Sequence, residues 1–327
     1  MKLLIVLHHR FDLWNAPDWV AERLREEFAN LEVVHLKSFD HIEPELADAE
    51  VLITWSLRPE QVRVAKKLRW IHSPAAAVHG LMIPEIVNSD IVVTNASEIH
   101  GRVVAEHAMA LMMACAKRLG RATDYQRQKI WSQQKLWEER PRPRELRGAT
   151  LGIVGFGAIG REVARLAAAF GMRVLACREH PERGSAQTDA VYGFSELPAM
   201  LPDCDFVVLA APLTSKTQAC FNAAMFAAMK PEAYFINVSR GALVNEGDMI
   251  AALRSRKIGG AALDVFTTEP LPVESPLWEM ANVIITPHSA AMTENLWDRH
   301  YALIAENLRR YKSGEPLLGV VDKKRGY

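Results

Sequence analysis

A glycine-rich hexapeptide between an apolar run and a helical segment restricts the fold of this chain more than any other feature. The run Thr150–Val154 is typical of a buried strand, and GFGAIG follows it directly and opens a helix. In a G-x-G-x-x-G, the first glycine permits a tight turn, the second lets a pyrophosphate approach the backbone, and the third brings helix and strand together. This context predicts a nicotinamide or flavin dinucleotide site. The residues expected to bind the dinucleotide are Gly155, Gly157, Ala158, Ile159 and Gly160.

Short apolar runs alternate with longer helical segments along almost the whole chain, which is the pattern of βαβ units around parallel sheets. Before residue 100 the predicted strands are 3–7, 32–36, 51–55, 70–72 and 91–94, with helices at 18–28 and 59–66. A helix is predicted over 101–118, with an apolar stripe that includes His107, and a loop or crossing connection over 131–147. Six further strands are predicted at 150–154, 173–177, 206–210, 234–238, 260–263 and 283–286. The accompanying helices are 160–170, 196–201, 222–229, 246–255 and 294–313.

Composition limits the classes of partner. The 39 basic and 39 acidic side chains cancel, so no overall positive field is available to hold nucleic acid or an anionic membrane. The longest apolar run without glycine, 108–116, is far shorter than the about 20 residues that span a bilayer. The apolar run 3–7 is followed by no small-residue cleavage site and is predicted to be a strand. Four cysteines without metal-ligand spacing predict buried thiols, no metal and a cytoplasmic location.

Polar side chains follow three of the later predicted strands, at the edge where open α/β sheets bind ligands. Arg240 follows strand 234–238, Asp264 and Glu269 follow strand 260–263, and His288 follows strand 283–286. An arginine, a carboxylate and a histidine at neighbouring strand ends can bind a carboxylate, orient an imidazole and transfer a proton. Each residue also has an ordinary alternative: a surface ion pair for Arg240, a solvated loop acid for Glu269, and a hydrogen-bonded buried side chain for His288.

These residues lie in segments that resemble the D-isomer-specific 2-hydroxyacid dehydrogenases over nearly the whole chain. The matching segments are VTNASEIHGRVVAEHAMALMMA, ELRGATLGIVGFGAIGREVARLAAAFGMRV, AAPLTSKT, FINVSRGALVNE, ALDVFTTEPLP and ITPHSA. The resemblance implies an α/β protein with two Rossmann-like parallel-sheet domains. A flavodoxin-like substrate-binding domain would comprise residues 1–98 and 288–327, and the dinucleotide-binding domain, 99–287, would be inserted in it. It also implies a homodimer joined through the cofactor domains, partly by the helix 101–118.

The resemblance implies an NAD(P)-dependent oxidoreductase that interconverts a 2-keto acid and a D-2-hydroxy acid by hydride transfer. Arg240, Glu269 and His288 fall on the catalytic trio of that family. Arg240 would bind the carboxylate and the carbonyl oxygen, His288 would act as acid and base, and Glu269 would bind the second ring nitrogen.

Further binding residues also come from the resemblance. Asp264 would bind the nicotinamide carboxamide, and Pro212, Thr217 and Val238 would lie near the cofactor. The amides of Ala75, Ala76 and Ala77 would bind the substrate carboxylate beside Arg240 and His288, although the family usually has glycine where Ala77 stands. Trp55 and Leu57 are placed either to line the substrate side-chain pocket or to pack as ordinary apolar residues.

The residue after the second strand of the cofactor domain indicates which dinucleotide is used. NAD-specific folds place an acidic residue there, about 20 residues past the glycine loop. Here Arg178 follows the strand 173–177, with Glu179 next and Arg183 nearby. A guanidinium suits a 2′-phosphate, so NADP(H) is favoured, while a strand end shifted by one residue would restore an acid and NAD(H).

Several functions share this scaffold. The leading prediction is a glyoxylate/hydroxypyruvate reductase or related ketoacid reductase. Phosphoglycerate, formate and phosphite dehydrogenases are alternatives, the first often with a C-terminal regulatory domain that is not expected here. A nucleotide-sensing transcriptional corepressor is the non-enzymatic alternative, and the complete acid–base trio argues against it.

Overall fold

The computed structural model describes residues 1–326, which form two compact units. The first comprises Met1–His100 together with the chain from Met292 onward, and the second is Gly101–Ala291. The boundaries predicted from the sequence lie after residues 98 and 287. The strands are β1 Lys2–Val6, β2 Glu32–Leu36, β3 Val51–Thr54, β4 Trp70–Ser73, β5 Val92–Asn95, β6 Thr150–Val154, β7 Arg173–Cys177, β8 Ala190–Tyr192, β9 Phe206–Leu209, β10 Tyr234–Asn237, β11 Gly260–Leu263 and β12 Val283–Ile285. The helices are α1 Asp18–Glu27, α2 Glu43–Leu46, α3 Pro59–Val64, α4 Pro84–Val87, α5 Ser97–Ala116, α6 Leu119–Arg127, α7 Gln133–Glu138, α8 Ala158–Ala169, α9 Leu197–Met200, α10 Ala223–Ala228, α11 Glu246–Arg254 and α12 Leu296–Ser313.

The first unit contains a five-stranded parallel sheet in the order β2-β1-β3-β4-β5. This is the flavodoxin-like strand order, which confirms the predicted fold of this unit. Apolar side chains cover both faces of the sheet, as expected of parallel strands. One face packs against α1 and α12, where Leu24, Trp297 and Leu308 belong to the same buried cluster.

The second unit contains a seven-stranded parallel sheet in the order β12-β11-β10-β9-β6-β7-β8. Counted along the chain this is the Rossmann order 3-2-1-4-5-6 with a seventh strand added beside the sixth, which confirms the predicted fold class. The strand order reverses between β6 and β9, and ligands bind at such a switch point outside the carboxyl ends of the strands. The glycine loop therefore begins at the position where this fold binds dinucleotides.

The prediction of six strands in this unit was wrong, because β8 was missed. This strand has three half-buried residues and pairs only with β7. So short a segment carries no detectable hydrophobic period. The prediction of a continuous loop over 131–147 was also wrong, since α7 lies inside it, and α6 was not predicted. Both helices are short and polar, so their sequences lack the broad apolar stripe that reveals a buried helix.

No helix within residues 1–326 is long and apolar enough to cross a membrane. In the same range, no cluster of three or more His, Cys, Asp or Glu side chains is arranged to hold a metal ion.

Candidate active site

The glycine loop between β6 and α8 has the geometry of a dinucleotide-binding turn. Gly155 has φ +99°, and a Cβ there would lie 2.3 Å from the backbone nitrogen of Ala211. A Cβ on Gly160 would lie 2.2 Å from the carbonyl oxygen of Gly155, so this helix can pack on the loop only without a side chain. A Cβ on Gly157, by contrast, would meet no atom within 4 Å. The space beside Gly157 is therefore open, which suits a pyrophosphate approaching the backbone at the start of α8.

The neighbouring loops place other predicted cofactor residues at the same sheet edge. Ala158 and Ile159 form the first turn of α8. In the loop after β9, the buried Thr217 donates from Oγ1 to the carbonyl oxygen of Pro212 (2.6 Å), so these two residues brace one another. Val238 directly follows β10 and is buried. Contact of these side chains with a cofactor stays a prediction.

Arg178 lies where the sequence placed it, immediately after β7, which ends at Cys177. Its backbone nitrogen donates to Tyr192 of β8, and its Nη1 lies 3.5 Å from the carbonyl oxygen of Gly184. Glu179, the acid that a shifted strand end would have supplied, instead forms an ion pair with Lys216 at 3.3 Å. The first side chain after β7 is therefore the guanidinium of Arg178, and the carboxylate of Glu179, which follows it, is paired with Lys216.

His288 and Glu269 form the central contact of the predicted trio. Nδ1 of His288 lies 2.6 Å from Oε2 of Glu269, while Oε1 accepts a hydrogen bond from the backbone nitrogen of Phe266 at 2.9 Å. Burial raises the pKa of Glu269, but the bonds from His288 and Phe266 and the charge of Arg240 outweigh it, so the net pKa is lowered. An ionised Glu269 accepts a hydrogen bond from Nδ1–H and leaves Nε2 of His288 available for proton transfer. The imidazole is about half exposed, at 48%.

Arg240 follows β10 and is half-buried. Its Nη1 donates to the carbonyl oxygen of Ser239 at 2.6 Å, and its own carbonyl oxygen accepts from Asn237 Nδ2 at 3.1 Å. Desolvation lowers the pKa of Arg240, and the charge of Glu269 opposes this shift. Among the described residues, no other group accepts a hydrogen bond from the guanidinium, so its remaining N–H groups are available to a ligand. The ordinary surface ion pair considered for Arg240 is absent among residues 1–326.

Asp264 is fully buried and bonded within the protein rather than open to a ligand. Its Oδ1 accepts from Thr286 Oγ1 (2.6 Å) and from the backbone nitrogen of Ser289 (2.9 Å). Its Oδ2 accepts from the backbone nitrogen of Ala290 (3.0 Å). Burial raises the pKa of Asp264, but these bonds and the interaction with His107 outweigh burial, so the net pKa is lowered. The structure gives Asp264 an anchoring role beside His288, and its predicted bond to a carboxamide stays a prediction.

The predicted carboxylate-binding loop of the first unit contains backbone amides that have no acceptor among the described residues. The carbonyl oxygens of Pro74, Ala75 and Ala76 accept bonds from His100 Nε2 (3.1 Å), the backbone nitrogen of Ala96 (3.2 Å) and Asn95 Nδ2 (2.8 Å), respectively. No described residue accepts a hydrogen bond from the backbone nitrogens of Ala76, Ala77 or Val78. With its carbonyls bonded on one side, the loop has free N–H donors for an anion.

The two predicted pocket residues of the first unit differ in burial. Leu57 is buried in the apolar cluster with Leu52 and Ile71, which favours the packing role. Trp55 is half-buried, and its Nε1 is buried without a hydrogen-bond partner in the described part of the chain. Trp55 therefore has a side-chain N–H donor without an acceptor among residues 1–326, whereas Leu57 is accounted for by packing.

Sequence reasoning missed the residues that hold these functional groups in place. They are Asn95, His100, His107, Asn237 and Thr286. A signal was present for His107, because a histidine on an otherwise apolar helical stripe requires a polar partner. The signal for Asn237 and Thr286 was weaker: each is a polar residue at the end of a strand or just after it.

The order and geometry of these segments agree with known proteins. The family model for the NAD-binding domain of D-isomer specific 2-hydroxyacid dehydrogenases matches residues 109–290, more than half of the chain. The chain belongs to the D-isomer specific 2-hydroxyacid dehydrogenase family. Members of this family are NAD(P)-dependent oxidoreductases, and the non-enzymatic alternative is not favoured.

Individual relatives support the same assignment. The chain is 34% identical to a glyoxylate reductase of Korarchaeum cryptofilum over 81% of this chain and 79% of the relative. It is 31% identical to a D-3-phosphoglycerate dehydrogenase of Methanocaldococcus jannaschii over 92% of this chain, but it spans only 57% of the length of that protein. A D-isomer specific 2-hydroxyacid dehydrogenase of Xanthobacter autotrophicus Py2, solved with NADPH and MES, superposes with a TM-score of 0.84 at 30% identity, covering 99% of this chain and all of that one.

Proposed function

We propose that this protein reduces small 2-keto acids to D-2-hydroxy acids, with glyoxylate or hydroxypyruvate as the leading substrates and NADPH as the preferred reductant. The observation that carries the proposal is the bond between Nδ1 of His288 and Glu269 (2.6 Å), with Nε2 left for the substrate. The available guanidinium of Arg240 supports it, since Arg240 and Glu269 interact electrostatically in the same site.

The side chains have separate tasks in this proposal. Arg240 donates to the carboxylate and to the carbonyl oxygen of the keto acid, which a planar guanidinium can do at two points. Protonated His288 gives the proton of Nε2 to the carbonyl oxygen, and ionised Glu269 stabilises the imidazolium and keeps its orientation. When bound, the reduced nicotinamide supplies the hydride. In the direction of oxidation, Nε2 of His288 accepts the hydroxyl proton.

A second carboxylate contact, in the loop after β4, is proposed from the family resemblance. The amides of Ala76 and Ala77, which have no acceptor among the described residues, are suited to donate to the substrate carboxylate. Ala75 donates instead to its neighbour Ser73 Oγ at 3.3 Å, so we assign it a supporting role. Trp55 is the candidate pocket residue, and Leu57 contributes packing.

A substrate panel tests the proposed function. Initial rates are measured with NADPH and NADH for glyoxylate, hydroxypyruvate, pyruvate, a longer 2-keto acid and 3-phosphohydroxypyruvate. We expect the highest kcat/KM among the small uncharged-side-chain keto acids, and chiral analysis of the pyruvate product should give the D isomer. A clear preference for 3-phosphohydroxypyruvate would replace this proposal with a phosphoglycerate dehydrogenase. The absence of turnover on every keto acid would refute reductase activity.

The preference for NADPH depends on the guanidinium that follows β7. Arg178 is the first residue past the strand, and the carboxylate of Glu179 is paired with Lys216. An acid at the ribose would repel a 2′-phosphate, whereas a guanidinium can bind it with charge-assisted hydrogen bonds. The Xanthobacter relative solved with NADPH is consistent with this preference.

Replacing Arg178 with aspartate should invert this preference. We expect kcat/KM with NADPH to fall by about 10- to 100-fold, as loss of a charged hydrogen bond of about 1.5–3 kcal/mol implies, while the value with NADH is retained or rises. Steady-state kinetics with both reduced cofactors measure the change. Arg173→Asp is the matched control, because Arg173 is exposed at the opposite end of β7. An unchanged cofactor ratio in Arg178→Asp, or NADH preference in the parent, would contradict the assignment.

We also propose a homodimer formed through the second unit. Its surface exposes several large apolar side chains near α6 and α7: Leu119, Trp131, Trp137 and Trp278, with Trp131 91% exposed. A cavity of about 550 Å³ lined by Arg118, Tyr234 and Trp278 lies on the same unit. Exposed apolar patches of this kind mark interfaces. Light scattering should give about twice the chain mass of 36.6 kDa, and a monomeric mass would exclude the dimer.

A cytoplasmic location is proposed from the thiols. All four cysteines are free, and burial raises the pKa of Cys115, Cys177 and Cys204 to about 12. Such thiols are unreactive and need no oxidising compartment. Fractionation of the native cell would test this, and recovery outside the cytoplasm would overturn it.

A further inference from the structure

We propose that His107 is a positioning residue that acts through Thr286 and Asp264 to hold the backbone carrying His288. His107 lies on α5 and belongs neither to the catalytic trio nor to the predicted binding residues. The inference rests on the proposed function, because it assumes that the orientation of His288 matters for proton transfer.

The backbone at His288 is strained and needs support. His288 has φ +52°, a left-handed conformation that is unfavourable for a residue with a side chain. Such conformations persist only where the surroundings determine them strongly, and they are found at functional sites. Here the backbone nitrogen of His288 donates to the carbonyl oxygen of Asp264 at 2.8 Å, and the next two amides donate to the carboxylate of the same residue. Asp264 therefore binds three consecutive N–H groups from residues 288–290.

The carboxylate of Asp264 must itself be kept ionised and correctly oriented. It is completely buried, and a buried carboxylate needs a full set of donors. Two of its donors are the backbone amides of Ser289 and Ala290, which belong to the segment that it supports. The donors from outside this segment are the hydroxyl of Thr286 and the imidazole of His107.

Proton accounting gives His107 a defined state. The hydroxyl of Thr286 has one proton, and its 2.6 Å contact with Oδ1 of Asp264 requires that proton. Nε2 of His107 lies 3.1 Å from the same hydroxyl oxygen and 3.4 Å from Oδ1 of Asp264. Neither oxygen has a proton left to give, so Nε2 must carry one and donate it. His107 thus donates to the hydroxyl oxygen of Thr286, and its Nε2 also lies close to Oδ1 of Asp264, so it stands at the start of the hydrogen-bond chain that leads to the His288 backbone.

The position of His107 in the fold fits a fixed donor better than a mobile one. Its neighbours on α5, Val104, Ala108 and Leu111, belong to the buried core of the second unit. The imidazole is 22% exposed, and its helix is anchored on both sides by core residues. Loss of its N–H would remove the fixed donor to the Thr286 hydroxyl, so the orientation of Thr286 and of the Asp264 carboxylate, and with it the restraint on residues 288–290, would weaken.

The test compares His107→Leu, which removes the donor, with His107→Gln, whose amide nitrogen can replace Nε2. Since a misplacement of about 1 Å at the reacting groups can cost about 10²-fold, we expect His107→Leu to lower kcat about 10- to 100-fold. KM for the keto acid should change little, because Arg240 is not part of the network. His107→Gln should recover most of kcat. Glu106→Leu, an exposed neighbour on the same helix, is the control and should match the parent.

A double-mutant cycle checks that the effect passes through Thr286. Thr286→Val removes the hydroxyl at nearly constant volume, and its loss of kcat should not add to that of His107→Leu. Full additivity would overturn the proposal, as would a kcat for His107→Leu within twofold of the parent. Equal damage in the Gln and Leu variants would indicate a packing role and would also overturn it.

A spectroscopic measurement keeps this inference separate from the proposed function. In ¹⁵N-histidine-labelled protein without cofactor, Nε2 of His107 should show a bound proton, and the resonance should be absent from His107→Leu. The His288 ring signals should shift in the Leu variant and return in the Gln variant. An unprotonated Nε2 on His107 would overturn the inference whether or not the protein reduces keto acids. Failure of the substrate panel with a protonated Nε2 would instead refute the proposed function.

Discussion

Replacement of His288 by alanine is expected to lower kcat for 2-keto acid reduction by about 10²–10⁴-fold, the usual contribution of a general acid. The reason is that Nε2 of His288 is the group of the trio free to give a proton to the carbonyl oxygen, since Nδ1 is bonded to Glu269. Steady-state kinetics with the best substrate of the panel measure the effect. Binding of NADPH, measured by fluorescence titration, should be nearly unchanged.

The backbone at this position calls for a second variant. Alanine is strained at φ +52°, whereas asparagine adopts left-handed conformations more readily. His288→Asn therefore removes the acid with less disturbance of the loop and should show a similar loss of kcat. His79→Ala, at an exposed histidine of the first unit, is the control. Parent-like kcat in both His288 variants would remove this residue from the mechanism.

Substitution of Arg240 by lysine is expected to raise KM for the keto acid and to lower kcat/KM about 10- to 100-fold. A lysine ammonium cannot reproduce two parallel donors to a planar carboxylate and carbonyl. The estimated loss corresponds to one charged hydrogen bond of about 1.5–3 kcal/mol. Kinetics at saturating NADPH separate the two parameters, and a thermal melt shows whether the variant is folded.

A conservative exchange elsewhere tests the specificity of this effect. Arg165→Lys changes an exposed arginine of α8 that pairs with Glu162 at 2.9 Å and should leave the kinetics unaltered. If Arg240→Lys also behaves like the parent, then the substrate carboxylate is bound elsewhere. The free amides of Ala76 and Ala77 would be the remaining donors for it.

The elements that could be predicted from the sequence are those whose burial leaves a pattern. Strands β6, β7 and β11 were predicted with the observed bounds, because strands covered on both faces appear as continuous apolar runs. The short β8 and the polar helices α6 and α7 have no such pattern. Their formation depends on the neighbouring strand or on surfaces that the local sequence does not encode.

The catalytic candidates could be found because parallel topology imposes a rule. Residues that follow neighbouring strands meet at one edge of the sheet, and β10, β11 and β12 are neighbours. Arg240, Glu269 and His288 were therefore predictable as a group, and the bond between the last two follows from that placement. The roles of Leu57 and Asp264 were harder to predict from the sequence, because burial of a single side chain depends on distant parts of the chain.

The two parallel-sheet units, the glycine loop and the residue types at the strand ends can be predicted from local sequence, because they depend on hydrophobic periodicity and on the requirement for glycine at a left-handed, crowded turn. Which polar groups share hydrogen bonds, by contrast, depends on the folded structure. Glu179 forms an ion pair with Lys216, and the carboxylate of Asp264 accepts a hydrogen bond from the backbone amide after His288. His107 bonds to Thr286, which lies 179 residues later in the chain. A hydrogen bond depends on distances of a few tenths of an ångström and on which donors remain unpaired. These quantities are fixed only once the sheets have brought distant segments together.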